Sequence, residues 1–189
     1  FDIDDIKELK GFTGEWVVQE KYDGMRIQIH KTDTIKVYSF NGKDITSKFD
    51  KQIQVLKEEE LPKCILDAEA VLYDGNDPLH RADTVAYVNA EKQSKDYELK
   101  VHVFDIMRLE GETVYSKKLE ERLELLMGNF NKHSDEYLQF PNKRDTRFAD
   151  SLGEIEEYAK NIMKNPTSEG VIIKDAKSSY IVGKKKNPK

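Results

Sequence analysis

Lys21-Tyr22-Asp23-Gly24-Met25-Arg26 sets a lysine, an acid, a glycine and an arginine side by side. A lysine amine is a covalent nucleophile once its charge is suppressed. At its ordinary pKa it stays protonated at pH 7 and attacks nothing. Burial and nearby positive charge both lower that pKa. Arg26, Lys174 and a bound metal cation would supply the charge. Gly24 lets the backbone approach a ligand closely or adopt positive φ. The plain alternative is a solvated lysine in a turn, because short motifs recur by chance.

Three further segments bear on that lysine, at 65–74, 101–107 and 169–175. Asp67 and Glu69 lie two apart in Ile65-Leu66-Asp67-Ala68-Glu69-Ala70-Val71. On a strand they share one face, opposite Leu66, Ala68 and Ala70. Acids in an apolar strand are costly unless paired, and a sugar hydroxyl, a metal or Lys21 would serve. The competing reading is the acidic solvent face of an edge strand. In Val101-His102-Val103-Phe104-Asp105-Ile106-Met107, Phe104 either offers its ring to a base or fills the core. Ser168-Glu169-Gly170-Val171-Ile172-Ile173-Lys174 puts an acid and a lysine at the two ends of an apolar run. Strict alternation sends them to opposite faces, and a bulge at Gly170 would bring both toward one pocket. Together the segments point to a lysine that attacks a phosphate.

Composition narrows the setting. A chain of 189 residues fits one domain with a real core. Its charged fraction of 35% and mean hydropathy of −0.74 read as globular and cytoplasmic. No long apolar run or leader-like segment appears, so neither a membrane span nor a signal peptide is expected. The lone Cys64 excludes an internal disulfide and reads as a buried inert thiol. The four histidines do not cluster with it, which argues against zinc. A net charge of −5 predicts weak binding of DNA by this domain alone. Phe1 at the start and Gly183-Lys-Lys-Lys-Asn-Pro-Lys189 at the end read as cuts within a longer polypeptide.

Periodicity places the motifs. Strands are expected over 16–20, 26–31, 35–40, 65–73 and 99–107, with a short one over 169–174, and Asn41-Gly42 is a turn signal. Helical spacing covers 47–61, 117–130 and 151–164, the last with Ser151 and Glu154 as a capping box. The stretch 80–97 has no clear period. Short turns between strands favour α+β with antiparallel sheets over a doubly wound parallel sheet.

The order and spacing of these motifs resemble the adenylation (nucleotidyltransferase) domain of ATP-dependent DNA ligases, close to the archaeal kind. Glu20-Lys21-Tyr22-Asp23-Gly24-Met25-Arg26 resembles the family's nucleophile motif. Leu66-Asp67-Ala68-Glu69 resembles its third motif, Val103-Phe104-Asp105-Ile106-Met107 the segment after it, and Glu169-Gly170-Val171-Ile172-Ile173-Lys174 its fourth. The resemblance implies an ATP-grasp-like α+β fold spanning 1–189, without the OB-fold and N-terminal DNA-binding domains that accompany it in the family. It implies that Lys21 attacks the α-phosphate of ATP, and that AMP then passes to the 5′-phosphate of a nick, which the 3′-hydroxyl seals. Gln19 and the backbone of Glu20 would meet adenine and Phe104 would stack on it. Arg26 would meet the ribose or phosphate side and Glu69 the ribose. Glu169, with Glu69, would hold Mg²⁺ or Mn²⁺, Lys174 would neutralise the α-phosphate, and Lys185 would join the nucleotide site. The implied partner is nicked duplex DNA, met by a monomer through the full-length protein, in DNA repair, replication and recombination.

Three departures stand out. Gln19 occupies a position often held by glutamate, Phe40 occupies the place of an arginine in a Ser-Arg-Asn-Gly-like motif, and the chain stops short of the tryptophan and lysines of the fifth motif. The fragment is therefore expected to bind ATP, to self-adenylate slowly and to seal nicks poorly. An RNA ligase or capping-type enzyme, and a non-catalytic nucleic-acid-binding module, are the competing functions.

Overall fold

The structure is a computed structural model that describes residues 14–58, 61–142, 145–164 and 168–181. Among the described residues two antiparallel-dominated sheets and four α-helices form an α+β fold, as expected. The larger sheet runs β3 (Ile35–Ser39), β2 (Met25–Lys31), β4 (Cys64–Asp74), β6 (Glu98–Leu109) and β7 (Glu112–Thr113). β5 (Asp77–Pro78) pairs with β4, and β8 (Leu138–Gln139) joins β6 in parallel. The smaller sheet sets β1 (Trp16–Glu20) between β10 (Val171–Asp175) and β9 (Thr146–Ala149).

β1 is apolar on both faces because it is walled in on both. Val17 is fully buried in the large core, and Val18, pointing the other way, is fully buried in a second core with Ala149, Ile155 and Tyr158. Helix α4 (Leu152–Ile162) covers that second core. Its N-terminus keeps half of the expected capping box. Ser151 Oγ accepts from Glu154 N at 3.3 Å, but the Glu154 carboxylate takes Asp150 N rather than the N-cap amide.

Helix α3 (Leu119–Phe130) lays Leu119, Leu123, Leu126 and Phe130 against the large sheet. The helix expected over 47–61 divides into a 3₁₀ turn (Thr46–Lys48) and α1 (Asp50–Glu58). Helix α2 (Arg81–Asn89) fills the stretch that showed no period. It buries only Thr84 and Val88, and the Thr84 hydroxyl accepts from Leu72 N at 3.0 Å. Cys64 is buried, and desolvation pushes its thiol up to about 12, in keeping with an inert residue.

β6 is not a regular strand. Asp67 faces Asp105 and Ala68 faces Val103, so Phe104 has no partner across β4. This bulge breaks the alternation: Val101, Val103 and Ile106 all reach the core, while Phe104 and Asp105 both turn into one cleft. Gly24 serves packing rather than a ligand. Its φ is not positive, and a Cβ there would lie 2.3 Å from the Ala70 carbonyl oxygen. The loop after Lys21 therefore rests on β4 at a distance that only glycine allows.

Candidate active site

A cleft of ≈ 480 Å³ opens between the two sheets. That lies within the roughly 300–1,000 Å³ of small-molecule sites. Its walls include Gln19, Arg26, Glu69, Phe104, Lys174 and Tyr180. Glu20 and Tyr22 line it as well, on either side of Lys21 in sequence.

Lys21 itself stands at the edge. Its backbone amide donates to Gly170 O at 2.9 Å, which extends the β1–β10 pairing by one residue. Gly170 sits at φ +141°, a conformation that favours glycine, and Glu169 lies just ahead of β10. The Lys21 ammonium meets Glu169 Oε1 at 2.6 Å, with both side chains 40% exposed. The enclosure expected at Lys21 falls instead on Lys174. That amine is half-buried in the cleft wall and donates to Gln19 Oε1 at 2.6 Å. Desolvation pulls it down to about 8, against the opposing pull of Asp105 and Asp67.

The acids of β4 divide the work. Leu66, Ala68 and Ala70 fill the core on one face, as the alternation predicts. Asp67 is also fully buried, and among the described residues it pairs with Arg26 rather than Lys21. Arg26 grips it in a fork, Nε to Oδ1 at 3.1 Å and Nη2 to Oδ2 at 2.6 Å. Glu69 is raised to about 7 by burial, with Arg81 and Arg26 pulling the other way. Asp23 accepts from Arg81 N at 3.3 Å and so caps the start of α2.

Gln19 is committed on both ends of its amide. Besides holding Lys174, it donates to Thr146 Oγ1 at 3.3 Å and Phe104 O at 3.5 Å. An adenine amino group would have to share that oxygen with Lys174. Phe104 lies under two cations, Lys174 at 4.9 Å and the Arg26 guanidinium at 5.7 Å from its ring centroid. Phe40 is 56% exposed, with Arg26 5.4 Å from its ring. Lys185 lies outside the described residues.

Two groups escaped the sequence reading. Arg122 on α3 is buried and forks onto buried Asp105 at 2.8 and 2.9 Å. A charge three residues after Leu119, on the apolar stripe, was the available signal. His102 is buried and lowered to about 4 by desolvation, with its ring stacked 3.9 Å from Tyr22. That stack braces the residue after the lysine, and no spacing rule announces it.

A profile of the ATP dependent DNA ligase domain family matches residues 3–188. The chain belongs to that family. DNA ligase 1 of Methanosarcina barkeri is 30% identical over 187 residues, which cover 91% of this chain and 33% of the relative. A DNA ligase of Methanococcus aeolicus is 31% identical over 87% of this chain and 30% of its own length. The chain thus spans about a third of the length of the curated relatives it matches. Among solved structures, a mycobacterial DNA ligase D complexed with ATP and MES superposes with a TM-score of 0.66 at 18% identity, over 88% of this chain and 50% of that one. The ATP-dependent DNA ligase of bacteriophage T7, in complex with ATP, gives 0.58 at 16%, over 98% and 64%. These share the fold of this ligase domain.

Membership implies ATP and a divalent cation. Among the described residues no cluster of three or more His, Cys, Asp or Glu side chains stands ready for a metal. The half-exposed Glu169 carboxylate still fits a hard cation that brings its own waters and phosphate oxygens, as Mg²⁺ does. Among the described residues no helix is long and apolar enough to cross a membrane.

Lys174 gives this ligase domain a pH signature. Its amine titrates near 8 in the fold and at 10.5 ordinarily. The folded chain therefore binds fewer protons between those values, and stability rises with pH across that window. Below about 8 the cost of the buried charge is fully present. Thermal midpoints of wild type and Lys174→Met, taken from pH 7 to 10.5, should show the wild type gaining on the variant above pH 8. A constant difference would contradict this assignment.

Proposed function

We propose that the chain is the adenylation core of an ATP-dependent DNA ligase with Lys21 as its nucleophile. The observation that carries this reading is the meeting of Lys21 and Glu169 at 2.6 Å beside a cleft floored by Phe104 and Lys174. The unprotonated Lys21 amine attacks the α-phosphorus of ATP. A P–N bond forms, the P–O bond to pyrophosphate breaks and pyrophosphate leaves, and the attacking nitrogen passes a proton to water. AMP then passes to the 5′-phosphate of a nick, and the 3′-hydroxyl displaces it to close the strand.

The chain's own residues prepare that exchange. Phe104 offers a stacking face to adenine, and Gln19 with the backbone of Glu20 meets the base edge. Glu69 and Arg26 take the ribose and phosphate side. Lys174 meets the α-phosphate, whose negative charge favours its protonated form. Glu169, aided by Glu69, would hold Mg²⁺ or Mn²⁺, which neutralises charge on the phosphate oxygens. Lys185 is assigned to the same nucleotide. Residues 1–189 act as one adenylation domain, with an OB-fold domain and a DNA-binding domain supplied by the rest of a full-length monomer. The net charge of −5 supports that division, because the grip on nicked duplex must then come from elsewhere.

Labelled ATP with Mg²⁺, followed by nicked DNA or nicked RNA, tests the proposal. Label should move to the chain slowly and then to DNA in preference to RNA. Transfer to RNA alone would reassign the substrate, and no transfer even from the full-length protein would favour a binding-only module.

A further inference from the structure

The segment after β10 lines one wall of the cleft and is fastened from several elements. Ala176 O accepts from Glu120 N at 3.0 Å, and Ser178 O accepts from Leu119 N at 2.9 Å and from Arg122 Nη1 at 3.2 Å. Tyr180 N donates to Tyr115 O at 2.9 Å. Ser178, Ser179, Tyr180 and Ile181 all face the cleft.

The Tyr180 side chain reaches from this wall to the one opposite. Its single hydroxyl proton goes to Asp67 Oδ2 at 2.8 Å, which leaves the oxygen to accept from Arg26 Nη2 at 2.8 Å. Asp67 is fully buried and cannot shift toward water. Arg26 stands on β2, five positions after Lys21, and its free side lines the cleft. A flexible arginine loses several rotatable bonds of freedom when it meets a ligand. Fixing it beforehand removes that cost from the binding step.

We infer that Tyr180 is a positioning residue: its hydroxyl, bridging Arg26 and Asp67 across the cleft, holds the guanidinium ready for the nucleotide and makes that readiness depend on seating of segment 176–181. The inference rests on the reading of the cleft as a nucleotide site. Burial and Asp67 push the Tyr180 hydroxyl up to about 12, so the bridge keeps its proton at neutral pH.

Tyr180→Phe removes only the oxygen. In the full chain, ATP affinity and the rate of adenylate transfer to Lys21 should together fall about tenfold, the scale of one hydrogen bond to a charged group. In an Arg26→Ala background the same change should have no further effect, because the group it positions is gone. An equal loss in both backgrounds, or no loss in either, overturns the inference. A wild type that neither binds ATP nor takes adenylate fails the underlying reading, and this inference with it. A second measurement stands apart from catalysis. The Arg26 Nε–H of the wild type, followed by ¹⁵N NMR without nucleotide, should exchange slowly and should exchange faster in Tyr180→Phe. Should that variant not fold, wild-type exchange as fast as that of exposed Arg81 overturns the inference on its own.

Discussion

Lys21→Ala will end covalent capture of adenylate. Intact mass after incubation with ATP and Mg²⁺ should show one added AMP on the wild type and none on the variant, a fall of more than about 10³-fold, as expected when a covalent nucleophile is removed. The variant should nevertheless remain folded. Its lost ion pair with Glu169 is 40% exposed on each side, and such pairs contribute only about 0–1 kcal/mol. A melting temperature near that of the wild type would therefore tie the loss to chemistry. Persistent labelling of Lys21→Ala would move the nucleophile elsewhere and remove the basis of the proposal.

Arg122→Ala is expected to be the most destabilising truncation at the cleft. Arg122 and Asp105 are 2% and 4% exposed. Removing Arg122 strips buried Asp105 of its forked counter-ion, and breaking a buried pair in this way costs about 3–5 kcal/mol. That is a large part of the 5–15 kcal/mol typical of a folded domain. The midpoint of thermal unfolding should fall by roughly 10 °C. Arg122→Lys should recover little, since an ammonium cannot fork onto both Asp105 oxygens. The double change Arg122→Met with Asp105→Leu should recover much of the loss by burying no charge at all. A single truncation that melts within a degree or two of the wild type would mean that the pair contributes no net stability.

The strands that carry the motifs were legible because alternation and burial agree in them. Ile27 and Ile29 on β2, and Leu66, Ala68 and Ala70 on β4, point inward as their spacing requires. Helix α3 was legible for the matching reason, a stripe of leucines at helical spacing. Helix α2 was not, because Thr84 replaces an apolar residue on its inner face and a hydroxyl bond does work that a stripe would otherwise announce. β8 and β9 are too short to show a period. The bulge at Phe104 defeated strict alternation, which would have sent Asp105 to the same face as Val101 and Val103.

Of the residues that the motifs singled out, Gln19, Glu20, Arg26, Glu69, Phe104 and Lys174 line the cleft, but their pairings were not legible. Asp67 was open to a sugar, a metal or Lys21, and within the chain Arg26 and Tyr180 pair with it. Tyr180 lies 154 positions from Arg26, so no local pattern could join them. Only closure of the two sheets on each other does so.

The placement of β1 between two packed interiors has a mechanical consequence. Val17 is locked on one side and Val18 on the other, so the small sheet cannot tilt against the large one without dragging the peptide that bears Lys21. The lysine sits at the axle of the fold. Trimming Tyr158 or Ile155, which pack in the second core, would therefore be felt at Lys21 as a change of aim.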